Sequence, residues 1–313
     1  MISEHVEEFA GKPVVEWDAK TGITDPEGKH YRITLDYDES KEGTEWTDKF
    51  AAFLDDPNAA RVTGLVVGGW ADDMFNEEST PIMEAIVAAR DRLPNLKALF
   101  IGDITYEECE ISWIQQQDQT PVLDAYPQLE HFRVRGGDGL AFGKLRNDHL
   151  QSLIIETGGL NGAVVRAVCA AQFPELTHLE LWLGTDNYGG TTTLDDLQPL
   201  LAGSLFPKLT YLGLRDSEIA DEIAEALATS PLLGRIETLD LSLGTLSDEG
   251  AQALLDSPYL SGQNPTPLKK LDIHHHYVSE GLVAQLKSLK LEVDAGDVQT
   301  AEDEEDRYVA VGE

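Results

Sequence analysis

The chain has 313 residues, with 57 acidic against 23 basic side chains and a net charge of −34 at pH 7. Such a surface repels phosphate backbones and anionic lipid, which argues against nucleic-acid and membrane partners and favours a basic protein or peptide, or a cation. A hydrophobic share of 42% is enough to fill a core, yet no apolar run reaches the roughly 18 residues of a membrane span.

The opening, MISEHVEEFAGKP, has neither the basic nor the apolar region of a secretory signal. In HYRITLDYD, Tyr31, Ile33, Leu35 and Tyr37 alternate with polar residues, the period of a half-buried strand. Pro13–Trp17 is its expected hairpin partner, with turn chemistry in Asp25-Pro-Glu-Gly28. Trp46, Phe50, Phe53 and Leu54 then share one face of a short helix. Residues 1–61 read as a mixed N-terminal cap of hairpin plus helix, covering the apolar edge of whatever follows.

From residue 62 to residue 293 one pattern, L-x-x-L-x-L, recurs at steps of 18 to 34 residues. Its copies are Val62/Leu65/Val67, Leu96/Leu99/Ile101, Leu129/Phe132/Val134 and Leu150/Leu153/Ile155, then Leu176/Leu179/Leu181 and Leu209/Leu212/Leu214. Ile236/Leu239/Leu241, Leu268/Leu271/Ile273 and Leu286/Leu289/Leu291 complete the series. Helices are expected between copies: one starting at Ser79-Thr80-Pro81, a shorter one at Thr120-Pro121, then 161–173, 194–201, 219–227, 248–255 and 280–286. Ser247 and Ser279 are candidate N-caps, and the short step after Leu129 leaves 136–147 as a compact loop. Residues 294–313, rich in Asp and Glu, read as a disordered acidic tail. Cys109 and Cys169 fall in different inter-strand segments, lack metal-ligand spacing and suit a reducing compartment, which points to the cytoplasm.

The motif and its repetition resemble the leucine-rich-repeat superfamily, nearest to its ribonuclease-inhibitor-like class. The resemblance implies an α/β solenoid, curved, with parallel strands on the concave face and helices on the convex face. One departure concerns the asparagine that usually closes the strand motif: here the position holds Gly158, Gly184, Ser217, Gly244 and His276. More narrowly, FAGKPVVEWD with these repeats looks like an uncharacterised bacterial leucine-rich-repeat family whose genes tend to lie beside radical-SAM and ATP-grasp enzymes. That likeness implies a scaffold or peptide-recognition role.

Strand alternation turns the repeat leucines inward and their neighbours outward, on rungs about 4.8 Å apart. Outward columns therefore hold Ala98, His131, His178, Tyr211 and Lys270; then Phe100, Arg133, Glu180, Gly213, Asp240, Asp272 and Lys290; then Arg135, Glu156, Trp182, Arg215, Ser242, His274 and Glu292. An exposed Trp182 beside Tyr211, rimmed by Glu180, Arg215 and Asp240, is what a protein-binding surface presents; Asp272 and His274 extend it. The alternative is that a neighbouring loop covers Trp182. Asp240 and Asp272 on consecutive rungs could act as an acid–base pair, unless Arg215 and Lys270 neutralise them. His274-His275-His276 with Asp272 and Asp240 could hold a metal, but His275 should turn inward. GGDG (136–139) and YGG (188–190) lack a phosphate loop's lysine and helix start and read as turns. The expectation is a non-catalytic, cofactor-free module that binds a protein or peptide through Glu180, Trp182, Tyr211, Arg215, Asp240, Asp272 and His274. An accessory subunit with metal or catalytic chemistry around Asp240, Asp272 and His274 is the alternative.

Overall fold

Leu65, Leu99 and Phe132 stand directly opposite one another on successive parallel strands, and so do Leu179, Leu212, Leu239 and Leu271. This register makes the repeat pattern a folding instruction: each inward row is a line of fully buried aliphatic and aromatic side chains. The computed structural model describes residues 1–303 and 306–312. The chain divides into two units, Met1–Ile155 with Ala171–Pro174, and Glu156–Ala170 with Glu175–Gly312.

In the first unit the strands are β1 (Glu8–Phe9), β2 (Lys12–Glu16), β3 (His30–Ile33), β4 (Gly64–Val67), β5 (Ala98–Ile101), β6 (His131–Arg135) and β7 (Ser152–Glu156, ending at the unit boundary). The helices are α1 (Tyr37–Lys41), α2 (Trp46–Leu54), α3 (Thr80–Ala88) and α4 (Thr120–Ala125). The expected hairpin does not form: β2 and β3 pair in parallel, with Val15 opposite Tyr31, and Tyr31 in turn faces Leu65. The long connection between them returns the chain to its starting edge, where a hairpin would need a short turn. Trp17 and Tyr31 meet Phe53 of α2, and the Trp46 indole donates to the Ile33 carbonyl at 3.0 Å, so the helix packs on β3 as on any later rung. The segment before Val62 thus continues the repeat ladder. β1 is antiparallel to β2. The described residues between β6 and β7 form no helix, as the short repeat step requires.

The second unit alternates α5 (Gly162–Cys169), β8 (His178–Gly184), α6 (Leu194–Leu201), β9 (Tyr211–Ser217), α7 (Ala220–Ala228), β10 (Thr238–Asp240), α8 (Asp248–Asp256), β11 (Lys270–Asp272), α9 (Glu280–Lys287) and β12 (Glu292–Asp294). The strands β8 to β12 are parallel and in chain order. Ser247 caps α8 by accepting from the Glu249 amide, while Ser279 holds the cap position of α9 without a side-chain bond. Helix α5 stops earlier than its apolar run suggests, because Gln172 exchanges backbone hydrogen bonds with Leu145 and Asn147 instead.

Two expectations at the C-terminal end are corrected. Val293, not Leu289, stands opposite Leu271, because Leu286 is the buried end of α9 and the chain needs a further turn before β12. Asp294 therefore takes the place assigned to Lys290 in its column. Nor is the tail wholly solvated: Val309 and Val311 are buried, Ala310 N–H donates to the Leu243 carbonyl, and Val311 N–H donates to Asp216 at 2.9 Å. Two apolar residues and a buried acceptor hold a segment that composition alone marks as loose. The tail's Glu304, Glu305 and Glu313 lie outside the described residues.

The missing asparagines are replaced by other groups. Thr157 Oγ1 donates to the Trp182 carbonyl, Thr245 Oγ1 to the Ser217 and Glu218 carbonyls, and His276 Nδ1 accepts from the Val278 amide. Asp216, Leu243 and His275 take positive φ at equivalent positions on successive rungs. Asp216 is fully buried with one oxygen unpartnered, and burial pushes its carboxyl well above the usual range, opposed by the Val311 amide. Its raised value means that its contribution is present at low pH and lost as pH rises through the folded value. Asp216→Asn keeps the acceptor and tolerates positive φ. It should stabilise the protein by about 1 kcal/mol at pH 8 and by much less at pH 4, measured by urea unfolding at both pH values.

Candidate functional site

Strand β8 places Glu180 and Trp182 outward, β9 places Tyr211 and Arg215 beside them, and β10 and β11 add Asp240 and Asp272. Between Glu180 and Asp240 the middle rung carries Gly213, which leaves room for longer neighbours to lean across. The result is one bonded network. Glu180 accepts from the Trp182 indole and from Arg215, both at 2.7 Å, and is 3.4 Å from His178 Nε2. Tyr211 donates to Asp240 at 2.7 Å, and its ring stacks on His178 with centroids 3.9 Å apart. Arg215 also donates to Ser242 at 2.9 Å, lies 3.4 Å from Asp240, and sits over the Trp182 ring at 5.0 Å.

The electrostatics follow from that closure. Burial alone would raise the Glu180 carboxyl, but the bond to His178, the Arg215 charge and the Trp182 indole hold it down at about 2. Burial and the two flanking carboxylates, Glu180 and Asp240, push the Tyr211 hydroxyl far up, so it stays a donor at any physiological pH. On the next rung Asp272 meets His274 Nδ1 at 2.7 Å and Lys270 Nζ at 3.0 Å. Burial opposes these two partners, which nonetheless hold Asp272 well below the usual range, and the bond to Asp272 raises His274 in return.

All seven residues read from the sequence share this strand-side surface, but Trp182 is not the exposed anchor. It is 7% exposed. Its neighbour Arg215 lies over the ring. Glu180, Asp240 and Asp272 are recessed in the same way, so solvent meets His178, Tyr211, Arg215, Lys270 and His274. The acid–base pairing of Asp240 and Asp272 is likewise neutralised, by Arg215 and Lys270 respectively. Among the described residues the ligating atoms that converge are those of Asp272, His274 and Asp294, not Asp240, and Asp272 is already satisfied by Lys270 and His274. His275 does turn inward, with Nδ1 3.1 Å from Asp297.

The equivalent face of the first unit is filled by its own chain. Phe9 packs on Val66, Ala98 and Phe100, with Val6, Ala10 and Val14 around them. The Val6 amide donates to Asp103, which Arg32 meets at 2.7 Å and His5 at 3.7 Å, while Arg32 also reaches the Val6 carbonyl. The outward column at Ala98 and Phe100 is therefore closed. Its large apolar residues were the signal that something covers them.

Parallel strands in chain order with a helix between most successive rungs define an α/β repeat protein. A family model described as Leucine Rich repeat matches residues 207–228 and 236–255. The crystal structure of a Bacteroides fragilis protein superposes with a TM-score of 0.81 at 33% identity, over 90% of this chain and 77% of that one. An internalin from Listeria monocytogenes gives a TM-score of 0.39 at 12% identity, over 85% and 73% of the two chains. No curated protein matches the chain. The chain belongs to the leucine-rich-repeat family.

Proposed function

We propose that this protein is a non-catalytic module or scaffold that binds a protein or peptide through the outward strand face of its second unit. The observation that carries this reading is the network around Glu180. Glu180, Asp240 and Asp272 are spent on fixing neighbouring side chains, and the fixed tips of His178, Tyr211, Arg215, Lys270 and His274 form a rigid polar and aromatic surface. Side chains already held in place lose little entropy on binding, which is how interfaces gain affinity from preorganisation. Leucine-rich repeats are generally protein-binding scaffolds, and the fold agrees with that use. The net charge of −34 favours a basic partner at long range. At contact, recessed carboxylates and exposed donors read hydrogen-bonding groups rather than bare positive charge. Two buried free thiols, both pushed up to about 11 by burial, suit the cytoplasm.

The test is a pull-down from the source cell with the intact protein and with a Tyr211→Phe/His274→Ala variant, which removes two tips without opening the core. The reading predicts a discrete partner whose recovery falls about tenfold with the variant, a loss of roughly 1.4 kcal/mol. Equal recovery by both proteins would refute it.

A further inference from the structure

Two loops of the first unit, 68–79 after β4 and 102–119 after β5, bring Phe75 and Trp113 together in the open. Their rings are 5.9 Å apart and tilted by 41°, and they stay 47% and 50% exposed. The other four tryptophans, Trp17, Trp46, Trp70 and Trp182, are all buried. The pair is not loosely hung: Gln115 Nε2 donates to the Phe75 carbonyl at 2.6 Å and Gln117 Nε2 to Glu78 at 3.1 Å, so one loop holds the other. The Trp113 indole donates to Glu110 at 3.2 Å, which enriches the ring in electron density. Asp73, Glu77 and Glu78 flank Phe75 in sequence. Among the described residues no lysine or arginine makes an ion pair with these three or with Glu110.

Elsewhere the chain supplies its own guanidinium to an aromatic face. Arg215 lies over Trp182, and Arg133 and Arg135 lie over Phe100. Among the described residues no cation lies over Phe75 or Trp113. An exposed, braced aromatic pair set among carboxylates that no lysine or arginine of the described residues neutralises is complementary to a planar cation, which stacks on the ring while its edge meets acid. We propose that Phe75 and Trp113, with Asp73, Glu77 and Glu110, form a docking site for an arginine-bearing segment of a partner protein. The site uses residues 73–117 alone, so its fate is independent of the reading of the second unit's strand face.

The probe is a short capped peptide of alternating arginine and glycine, titrated by calorimetry and by acrylamide quenching of tryptophan emission. Quenching reports on Trp113, the exposed tryptophan. The expected result is binding that shields Trp113, weakened about fivefold to tenfold by Trp113→Ala or by Phe75→Ala, and lost when citrulline replaces arginine. Both substituted side chains are half exposed, so far-ultraviolet circular dichroism should be unchanged. A charge control, Glu225→Gln with Asp256→Asn on α7 and α8, should leave the affinity within twofold, roughly the effect of remote surface charge. The proposal is overturned if the wild-type protein does not bind the peptide, if Trp113→Ala binds as well as wild type, or if the charge control weakens binding as much as Trp113→Ala.

Discussion

Glu180→Ala should cost about 2–3 kcal/mol of stability, because it leaves the buried Trp182 indole N–H without its acceptor and takes from Arg215 one of its two carboxylates. Glu180 is 7% exposed, and the buried Trp182 indole cannot turn to water without leaving the strand face, whereas Arg215 keeps Asp240 and Ser242. A double variant, Glu180→Leu with Arg215→Met, should recover little of the loss, since the Trp182 indole N–H stays without its acceptor and Asp240 loses its guanidinium. The same carboxylate sets an acid limit. Its folded value of about 2 lies below the ordinary 4.5. The depressed value means that its contribution is complete above the unfolded value and is lost as pH falls from there towards 2. Urea unfolding followed by circular dichroism should show wild type converging on Glu180→Ala across that window. Parallel curves from pH 7 to pH 2 would mean that the carboxylate is not held by these partners.

Gly184→Ala should be comparably severe, at about 3 kcal/mol or more. Gly184 ends β8 with φ of +63°, and a Cβ there would collide with the backbone of Gly158 and Gly159. The contact is backbone against backbone: Gly159 bridges to Gly184, and Thr185 N–H donates to the Gly158 carbonyl at 2.8 Å. No side chain can rotate out of the way. The collision explains the glycine at position 184, where the family places asparagine. Gly189→Ala, also at positive φ but with open space around its Cβ position, should lose only about 1 kcal/mol. A similar loss at both positions would remove the close-approach explanation.

How much of this was legible depended on whether a neighbour on another rung decided the outcome. The inward rows were legible because each repeat leucine is fixed by its own strand, and Leu179, Leu212, Leu239 and Leu271 align as the motif requires. The outward columns were legible for the same reason, since a residue's face follows from alternation alone. What lay on that face was not. Trp182 is closed by Arg215 from the next strand, and Ala98 and Phe100 by Phe9 from far along the chain. The same holds for the first and last rungs. Without a neighbouring copy for comparison, Tyr31 and Ile33 read as half of a hairpin and Leu289 as a repeat leucine, where the pairing partners are Leu65, Val67 and Val293. Phe75 and Trp113 were missed because they stand in loops, where no period exists to mark them.

The strand face of the second unit is tested most directly by the ring resonances of its own histidines. Histidine-labelled protein is titrated with the captured partner and followed by proton–carbon correlation spectra. His178, stacked on Tyr211, and His274, bonded to Asp272, should shift on binding, while His5 and His30 of the first unit stay in place. A partner that binds tightly yet leaves His178 and His274 unmoved would contradict the assignment of this face as the recognition surface.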